Sequence, residues 1–455
     1  MTRDVRAKQD PQARSAREWA LGKLIAIEAE GGYANLGRQD LSHMPPPERS
    51  LAVELSHGAT RRRATLDWYL AQVLKGRLED LTPPIRNNLR LATYQLLFLD
   101  RIRPAAAVDE AVKLARKHGH EGVARLTNGV LRNLQRRMET LSPPAFKDNP
   151  LLALTARYSL PEWLAREWLA LHGPDAELLA QWSITPPTLS LRANTLKRTR
   201  ESLQEELSAL GIAATPDPWL PEGLRLNQSI DPTALAAFSA GEFYVQDEAA
   251  MWAARLVKPA SGQTILDIGA APGGKSTHLA ALMGDQGCIW AIDRSATRLK
   301  LLEENCRRLG VSSVRALARD ACDLSELPVA DRILLDAPCS GLGVLPRKPD
   351  LRWRQTPVTR GELAQLQSQL LDAAVARLKP GGLLVYSTCT MSRQENQDVV
   401  EALLNRQPQL RFDDMGEDLP ADWRNELEGE GGMLQLHPIR HGVDGFFIAR
   451  LRREV

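Results

Sequence analysis

Thr264-Ile-Leu-Asp-Ile268 running into Gly269-Ala-Ala-Pro-Gly-Gly-Lys275-Ser276 is the stretch on which the fold of this 455-residue chain turns. A short apolar run, a glycine-rich turn and a helical pattern in that order read as the first strand, loop and helix of an open parallel α/β sheet. The alternation continues downstream, with strands at 288–292, 314–317, 332–336 and 382–387 and helices at 276–283, 296–309, 360–378 and 393–405. A doubly wound sheet is therefore expected over residues 241–455. Gly445-Phe-Phe-Ile-Ala-Arg-Leu451 reads as an added edge strand.

Two of these strands end in a thiol. Cys339 lies in Asp336-Ala-Pro-Cys339-Ser-Gly341 after Ile333-Leu-Leu335, and Cys389 in Ser387-Thr-Cys389 after Leu383-Leu-Val-Tyr386. Strand C-termini line the ligand crevice of such a sheet, so both thiols and Asp336 are expected at one site. The other cysteines read as structural. Cys306 shares a helical face with Leu299, Leu302 and Leu309, Cys288 begins a strand, and Cys322 reads as packing near Asp320. Five cysteines with no CxxC pair argue against a disulfide framework and for a reducing cytosol.

The loop Gly269-x4-Gly274-Lys275-Ser276 also fits the P-loop pattern, and Arg332-Ile-Leu-Leu-Asp336 could pass for the magnesium-holding strand of a P-loop ATPase. Against that, Pro272 removes an N–H from a loop whose phosphate binding depends on N–H groups. The ATPase reading also gives the cysteines no task. Asp293, about twenty residues past the loop, is placed to bind ribose hydroxyls, and Asp320 to face an adenine edge. These acids and a helix N-terminus able to hold a carboxylate suit S-adenosylmethionine, with Lys275 expected to pin the loop through backbone carbonyls. No metal site is expected.

The paired thiols fit methylation at carbon 5 of a pyrimidine. That carbon is a weak nucleophile until a thiolate adds to carbon 6 and gives carbon 5 enamine character. Asp336 could hydrogen-bond or protonate the N3/N4 edge, which asks for a raised carboxyl pKa. The second cysteine could help the adduct leave. Spacing alone does not say which thiol attacks.

Upstream the character changes. Residues 1–140 carry 24 Lys and Arg against 16 Asp and Glu, although the whole chain is only +2, which suggests a module that meets a polyanion. From Ala16 to Arg137 apolar residues recur at helical spacing, predicting a bundle of five to seven helices. Its exposed basic clusters would be Arg61-Arg-Arg63, Lys113 with Arg116-Lys117, Arg132 and Arg136-Arg137. Leu141 to Pro150 reads as a linker and residues 151–240 as a small α/β unit, with a strand at Thr188–Arg192 and a helix at Ser202–Leu210. Arg347-Lys348 and Arg352-Trp353-Arg354 read as a stacking and phosphate-binding surface for an extruded base. His437 and His441 read as structural. The polar start Met1-Thr-Arg-Asp-Val-Arg6 lacks a signal-peptide core, and no apolar run nears the ~18 residues of a membrane span.

Ile265–Lys275, Asp293, Arg319-Asp320, Asp336–Gly341, Ser387–Thr390 and His437-Pro…His441-Gly…Asp444-Gly-Phe-Phe447 together resemble the motifs of RNA cytosine-C5 methyltransferases of the Fmu/RsmB (Sun) family. Arg61–Asp67 and Thr127–Leu134 resemble a NusB-like RNA-binding domain. The resemblance implies a NusB-like all-α bundle over 1–145, a small RRM-like α/β subdomain over 151–240 and a Rossmann-like class I methyltransferase domain over 241–455. It makes Cys389 the nucleophile, Cys339 the aid to product release and Asp336 the base-facing acid. Gly269, Ala270, Ala271, Pro272, Gly273, Gly274 and Lys275, with Asp293, Asp320 and Asp336, would hold S-adenosylmethionine. Gly269 departs from the family by standing where many relatives have cysteine. The implied substrate is small-subunit ribosomal RNA, protein-free or in an early assembly intermediate, at cytosine 967 of 16S rRNA. A cytoplasmic monomer away from membranes is expected. The alternatives are a tRNA cytosine-C5 methyltransferase, a P-loop ATPase and a non-catalytic RNA-binding protein.

Overall fold

The computed structural model describes residues 15–30, 41, 44–228 and 230–455. Met1–Arg6, read above for a signal peptide, lies outside them. The chain forms two compact units, Met1–Thr185 with Leu345–Arg354, and Pro186–Val344 with Gln355–Val455. Among the described residues no helix is long and apolar enough to cross a membrane.

The first unit begins with six helices among its described residues: α1 (Ala16–Glu30), α2 (Pro46–Arg61), α3 (Arg63–Ala71), α4 (Pro83–Phe98), α5 (Pro104–His118) and α6 (Glu121–Arg137). Proline opens α2, α4 and α5, where its missing N–H costs no helical bond. Helix α4 is central, contributing Leu91 to one apolar cluster and Leu89 and Ala92 to another. Its buried Arg90 is neutralised by Asp67 at 2.6 Å and Glu28 at 3.4 Å. Helices Glu162–His172 and Ala176–Ile184 also fall within this unit, and the strands of the small sheet begin at Leu189.

Two basic clusters read as RNA-facing are internal struts. Arg352 is fully buried and donates to the carbonyls of Ser183 at 2.6 Å, Ser159 at 3.3 Å and Arg61 at 3.4 Å. Ser183 and Arg61 lie at the C-terminal ends of their helices, where carbonyls lack intrahelical partners and the dipole favours a cation. Burial, then the neighbouring Arg61 and Arg62, push the Arg352 pKa down to about 9, which leaves it charged at neutral pH. Trp353 Nε1 donates to the Thr60 carbonyl at 2.8 Å, and the Arg63 guanidinium lies 5.1 Å from its ring. Arg61 bonds the Pro346 carbonyl and Arg62 covers the Phe98 ring. Of the five residues read as a stacking surface, Lys348 alone is exposed.

The second unit carries two sheets. Strands β1 (Leu189–Ala193), β2 (Ala214–Pro216), β3 (Gly223–Leu226) and β4 (Phe243–Val245) pair antiparallel in the order β2-β3-β1-β4, covered by the helix Arg200–Ala209 through Leu203 and Leu207. The large sheet contains β5 (Thr264–Ile268), β6 (Cys288–Asp293), β7 (Val314–Ala318), β8 (Ala330–Asp336), β9 (Leu378–Thr388), β10 (Leu410–Phe412), β11 (Met433–Leu436) and β12 (Phe446–Arg453). Its order is β10-β12-β9-β8-β5-β6-β7, with β11 also paired to β12. Strands β9-β8-β5-β6-β7 are parallel. The expected edge strand at 445–451 is an interior one, since β12 is paired with β9 as well as with β10 and β11.

Alternate residues of each parallel strand face opposite layers. Leu266, Ile268, Ile333, Leu335, Leu384 and Tyr386 meet the helices Pro357–Val375 and Gln397–Arg406. Ile265, Leu334 and Val385 meet Glu248–Arg255 and Gly274–Leu282. The chain leaving β1 is bonded to the end of the helix Ala296–Leu309. Asn194 Nδ2 donates to the Leu309 carbonyl, and Lys197 Nζ to that of Arg308.

Two changes test this packing. Arg352→Ala leaves buried carbonyls without a donor and should cost about 3 kcal/mol, read as a lower urea midpoint for the first unit. In the second unit, buried His278 lies 2.7 Å from Glu222, and burial followed by the Arg192 charge pushes its pKa from 6.5 to about 4. The unfolded chain gains this proton near the ordinary histidine pKa, whereas the folded one holds out to about 4. Stability present above pH 6.5 is therefore lost as pH falls toward 4, by about 3 kcal/mol for a shift of this size. His278→Gln should flatten the denaturation midpoint across that window.

Candidate active site

Strand register assembles the site. Strand β8 lies between β5 and β9, pairing Leu335 with Ile268 on one side and Asp336 with Ser387 on the other. Gly269, Asp336 and Ser387 therefore emerge side by side at one sheet end, and each cysteine follows within three residues. The loops after β8 and β9 bring Cys339 Sγ within 3.4 Å of Cys389 Sγ. Both thiols are half-buried. The Cys339 pKa stands well above the usual thiol value, raised first by the hydrogen bond to Cys389, then by burial, then by the charges of Cys389, Glu395 and Asp336.

Asp336 has a partner that its sequence reading omits. Lys275 Nζ donates to its Oδ2 at 2.7 Å, and Ser387 Oγ to its Oδ1 at 3.2 Å. Burial opposes the Lys275 ammonium, but the charge and hydrogen bond of Asp336, helped by Asp267, outweigh it and raise its pKa. Lys275 therefore does not pin the loop through carbonyls. Other groups hold them: Arg298 takes the Ala271 carbonyl, Asn305 that of Pro272, Thr277 that of Gly273, and Arg192, reaching from β1, that of Gly274.

The first half of the same loop offers no phosphate cradle. The N–H groups of Gly269 and Ala270 donate to the Ile292 carbonyl, that of Gly273 to Ala270, and Pro272 has none. A P-loop needs such groups turned toward its ligand. With Lys275 committed to Asp336, the acids that remain suit a cationic sulfonium nucleoside better than a polyphosphate. Asp293 ends β6 with its carboxylate fixed by Ser295 N–H at 2.9 Å and Arg298 at 3.2 Å, and Asp320 is exposed beyond β7.

Sequence reasoning missed the layer beneath the thiols. Glu395 accepts the Ser340 N–H at 2.7 Å and its hydroxyl at 2.5 Å, and Ser340 Oγ meets Thr390 Oγ1 at 2.9 Å. Ser340 and Thr390 directly follow the two cysteines, a symmetry visible only in retrospect. His437 caps the short helix Pro438–His441, and buried His441 stacks edge-on against Trp423, so both are structural. Cys306 is core, with burial first pushing its pKa up to about 12, while Cys322 is exposed rather than packed.

Residues 254–452 match the family described as 16S rRNA methyltransferase RsmB/F, residues 14–136 the NusB family, and residues 160–233 the ferredoxin-like domain of RsmF/B-like methyltransferases. The chain is 38% identical to the "Probable ribosomal RNA small subunit methyltransferase B" of Synechocystis, over 96% of this chain and 99% of that one. It belongs to the RsmB/F methyltransferase family. The Bacillus subtilis protein of the same name is 36% identical over 97% of this chain and 99% of its own. The crystal structure of PH0851 superposes with a TM-score of 0.82 at 27% identity, covering 98% of this chain and 99% of that one. The family uses S-adenosylmethionine as its methyl donor.

Gly269 leaves this RsmB/F member no room for a side chain at the start of the loop. Its φ is +80°, and a Cβ there would sit 2.3 Å from the Asp336 carbonyl oxygen. Strain of about 1–3 kcal/mol should fall on the loop and on Asp336 together. Gly269→Ala is expected to weaken S-adenosylmethionine binding by about tenfold in calorimetric titration.

Proposed function

We propose that this chain transfers the methyl group of S-adenosylmethionine to carbon 5 of a cytosine in small-subunit ribosomal RNA, with cytosine 967 of 16S rRNA as the target. The observation that carries the reading is the pair of sulfurs 3.4 Å apart at the same strand ends as the Lys275–Asp336 ion pair. The cofactor, held by Gly269 to Lys275, Asp293, Asp320 and Asp336, supplies an electrophilic methyl group.

Cys389, as thiolate, adds to carbon 6 and pushes electron density onto carbon 5, which takes the methyl group as the sulfonium–methyl bond breaks and the neutral thioether S-adenosylhomocysteine is left. The carbon-5 proton then leaves, the carbon–sulfur bond breaks, and the ring double bond returns. Asp336 and Lys275 face the pyrimidine edge as acceptor and donor. The 3.4 Å separation of the sulfurs supports a division of labour, because a protonated thiol at that distance can hydrogen-bond its neighbour's sulfur and assist its departure from the adduct. The helical unit supports an RNA substrate. Arg125, Arg132 and Arg136 are exposed, and their spacing of seven and four residues puts them on one face of α6.

Labelled methyl should pass to protein-free 16S rRNA and not to tRNA. Cys389→Ala should reduce transfer by at least about 10³-fold, the scale of losing a nucleophile. Cys339→Ala should instead accumulate a denaturation-resistant protein–RNA adduct. Reversed phenotypes would overturn the role assignment, and label on tRNA alone would replace the substrate.

A further inference from the structure

Glu395 is fully buried, in the turn Arg393–Glu395 after β9, and no step above uses it. Three donors converge on its carboxylate: the Ser340 N–H at 2.7 Å, the Ser340 hydroxyl at 2.5 Å and Gln367 Nε2 at 3.3 Å. Gln367 also holds the Pro338 carbonyl at 2.9 Å, so the residues on both sides of Cys339 are tied to one point. On the other side Ser340 Oγ bonds Thr390 Oγ1, next to Cys389, while Tyr386 donates to the Glu395 carbonyl at 2.7 Å. A buried carboxylate is costly unless its lone pairs are used, and here they are used on Ser340 in the Cys339 loop and on Gln367.

We propose that Glu395 is the positioning residue of the thiol pair, binding Ser340 directly and Thr390 through it so that Cys339 and Cys389 are held within hydrogen-bond reach of each other. The inference deepens the cytosine-C5 reading and rests on it for its catalytic consequence. A carboxylate suits the post because it accepts all three donors and offers none of its own. Its charge acts on Cys339 as well, raising that thiol's pKa behind the larger effects of the Cys389 hydrogen bond, burial and the Cys389 charge. Asp336 pushes in the same direction, Lys275 lies on the Asp336 side, and Tyr386 and Arg360 are the other titratable groups that bear on Glu395 or Cys339. Glutamine at 395 could keep one accepting oxygen for the Ser340 N–H and turn its amide toward the Ser340 hydroxyl, preserving shape without charge.

The test uses the full-length chain with Glu395→Gln and Glu395→Ala. It follows iodoacetamide alkylation of Cys339 and Cys389 against pH by peptide mass spectrometry, alongside kcat and the KM for S-adenosylmethionine. Glu395→Ala should lower kcat by about 10²-fold, the scale of a sub-ångström to ångström misplacement, with KM for the methyl donor unchanged. Both variants should move the Cys339 alkylation midpoint down by roughly one pH unit, and Glu395→Gln should recover most of the lost kcat. A folded Glu395→Ala with wild-type kcat and wild-type thiol profiles would overturn the proposal. If Glu395→Ala does not fold, an unchanged Cys339 midpoint in Glu395→Gln does the same. Should the wild type methylate no cytosine, the function reading fails by itself, and the alkylation profiles still decide whether Glu395 governs the thiols.

Discussion

The pairing of β8 between β5 and β9 is the constraint on which the site depends. Parallel pairing fixes which residues leave the sheet together, and a one-residue slip would send each side chain to the opposite layer. With Leu335 opposite Ile268 and Asp336 opposite Ser387, the glycine loop, the carboxylate and both thiol loops share one end. The apolar alternation that secures this register, Ile333 and Leu335 toward one layer and Leu334 toward the other, is the same that builds the core. Site geometry and stability are thus set by one pattern.

The Lys275–Asp336 pair shows how a familiar motif is put to different use. An ammonium buried beside a glycine loop is tolerable only with a counter-charge. In a phosphate-binding loop the ligand provides it; here Asp336 does, at 2.7 Å, while side chains from other elements take up the loop carbonyls. The Glu395 cluster follows the same logic under the thiols, with a buried acid kept in place by the donors it organises.

Much of this was legible in the sequence because it depends on local pattern. The strand at 264–268 and the helix at 296–309 fall on the residues read, and the thiols meet because strand ends must. What escaped depends on contacts distant along the chain. Arg352 and Trp353 have the composition of a nucleic-acid surface, and nothing nearby announces that Thr60, Ser159 and Ser183 offer carbonyls to them. Arg61 to Arg63 likewise became internal once Phe98, Trp353 and Pro346 arrived. The edge strand was misread because alternation says that a strand exists and not how many neighbours it has. Glu395 lies in a polar run, Arg393 to Gln397, at the start of the helix read over 393–405, and nothing in that run announces Ser340.

The bonds from β1 and the chain after it into the helices around the glycine loop bear on how the second unit can be cut. Arg192 closes the Gly274 carbonyl, Asn194 that of Leu309 and Lys197 that of Arg308, all from chain that precedes residue 241. A fragment trimmed to the Rossmann-like core would keep both cysteines and the whole glycine loop, yet it would take the Arg192, Asn194 and Lys197 donors from the helices Gly274–Leu282 and Ala296–Leu309. The four-stranded sheet falls in the same compact unit as the glycine loop and both cysteines, so a cut at residue 241 would pass through the middle of that unit.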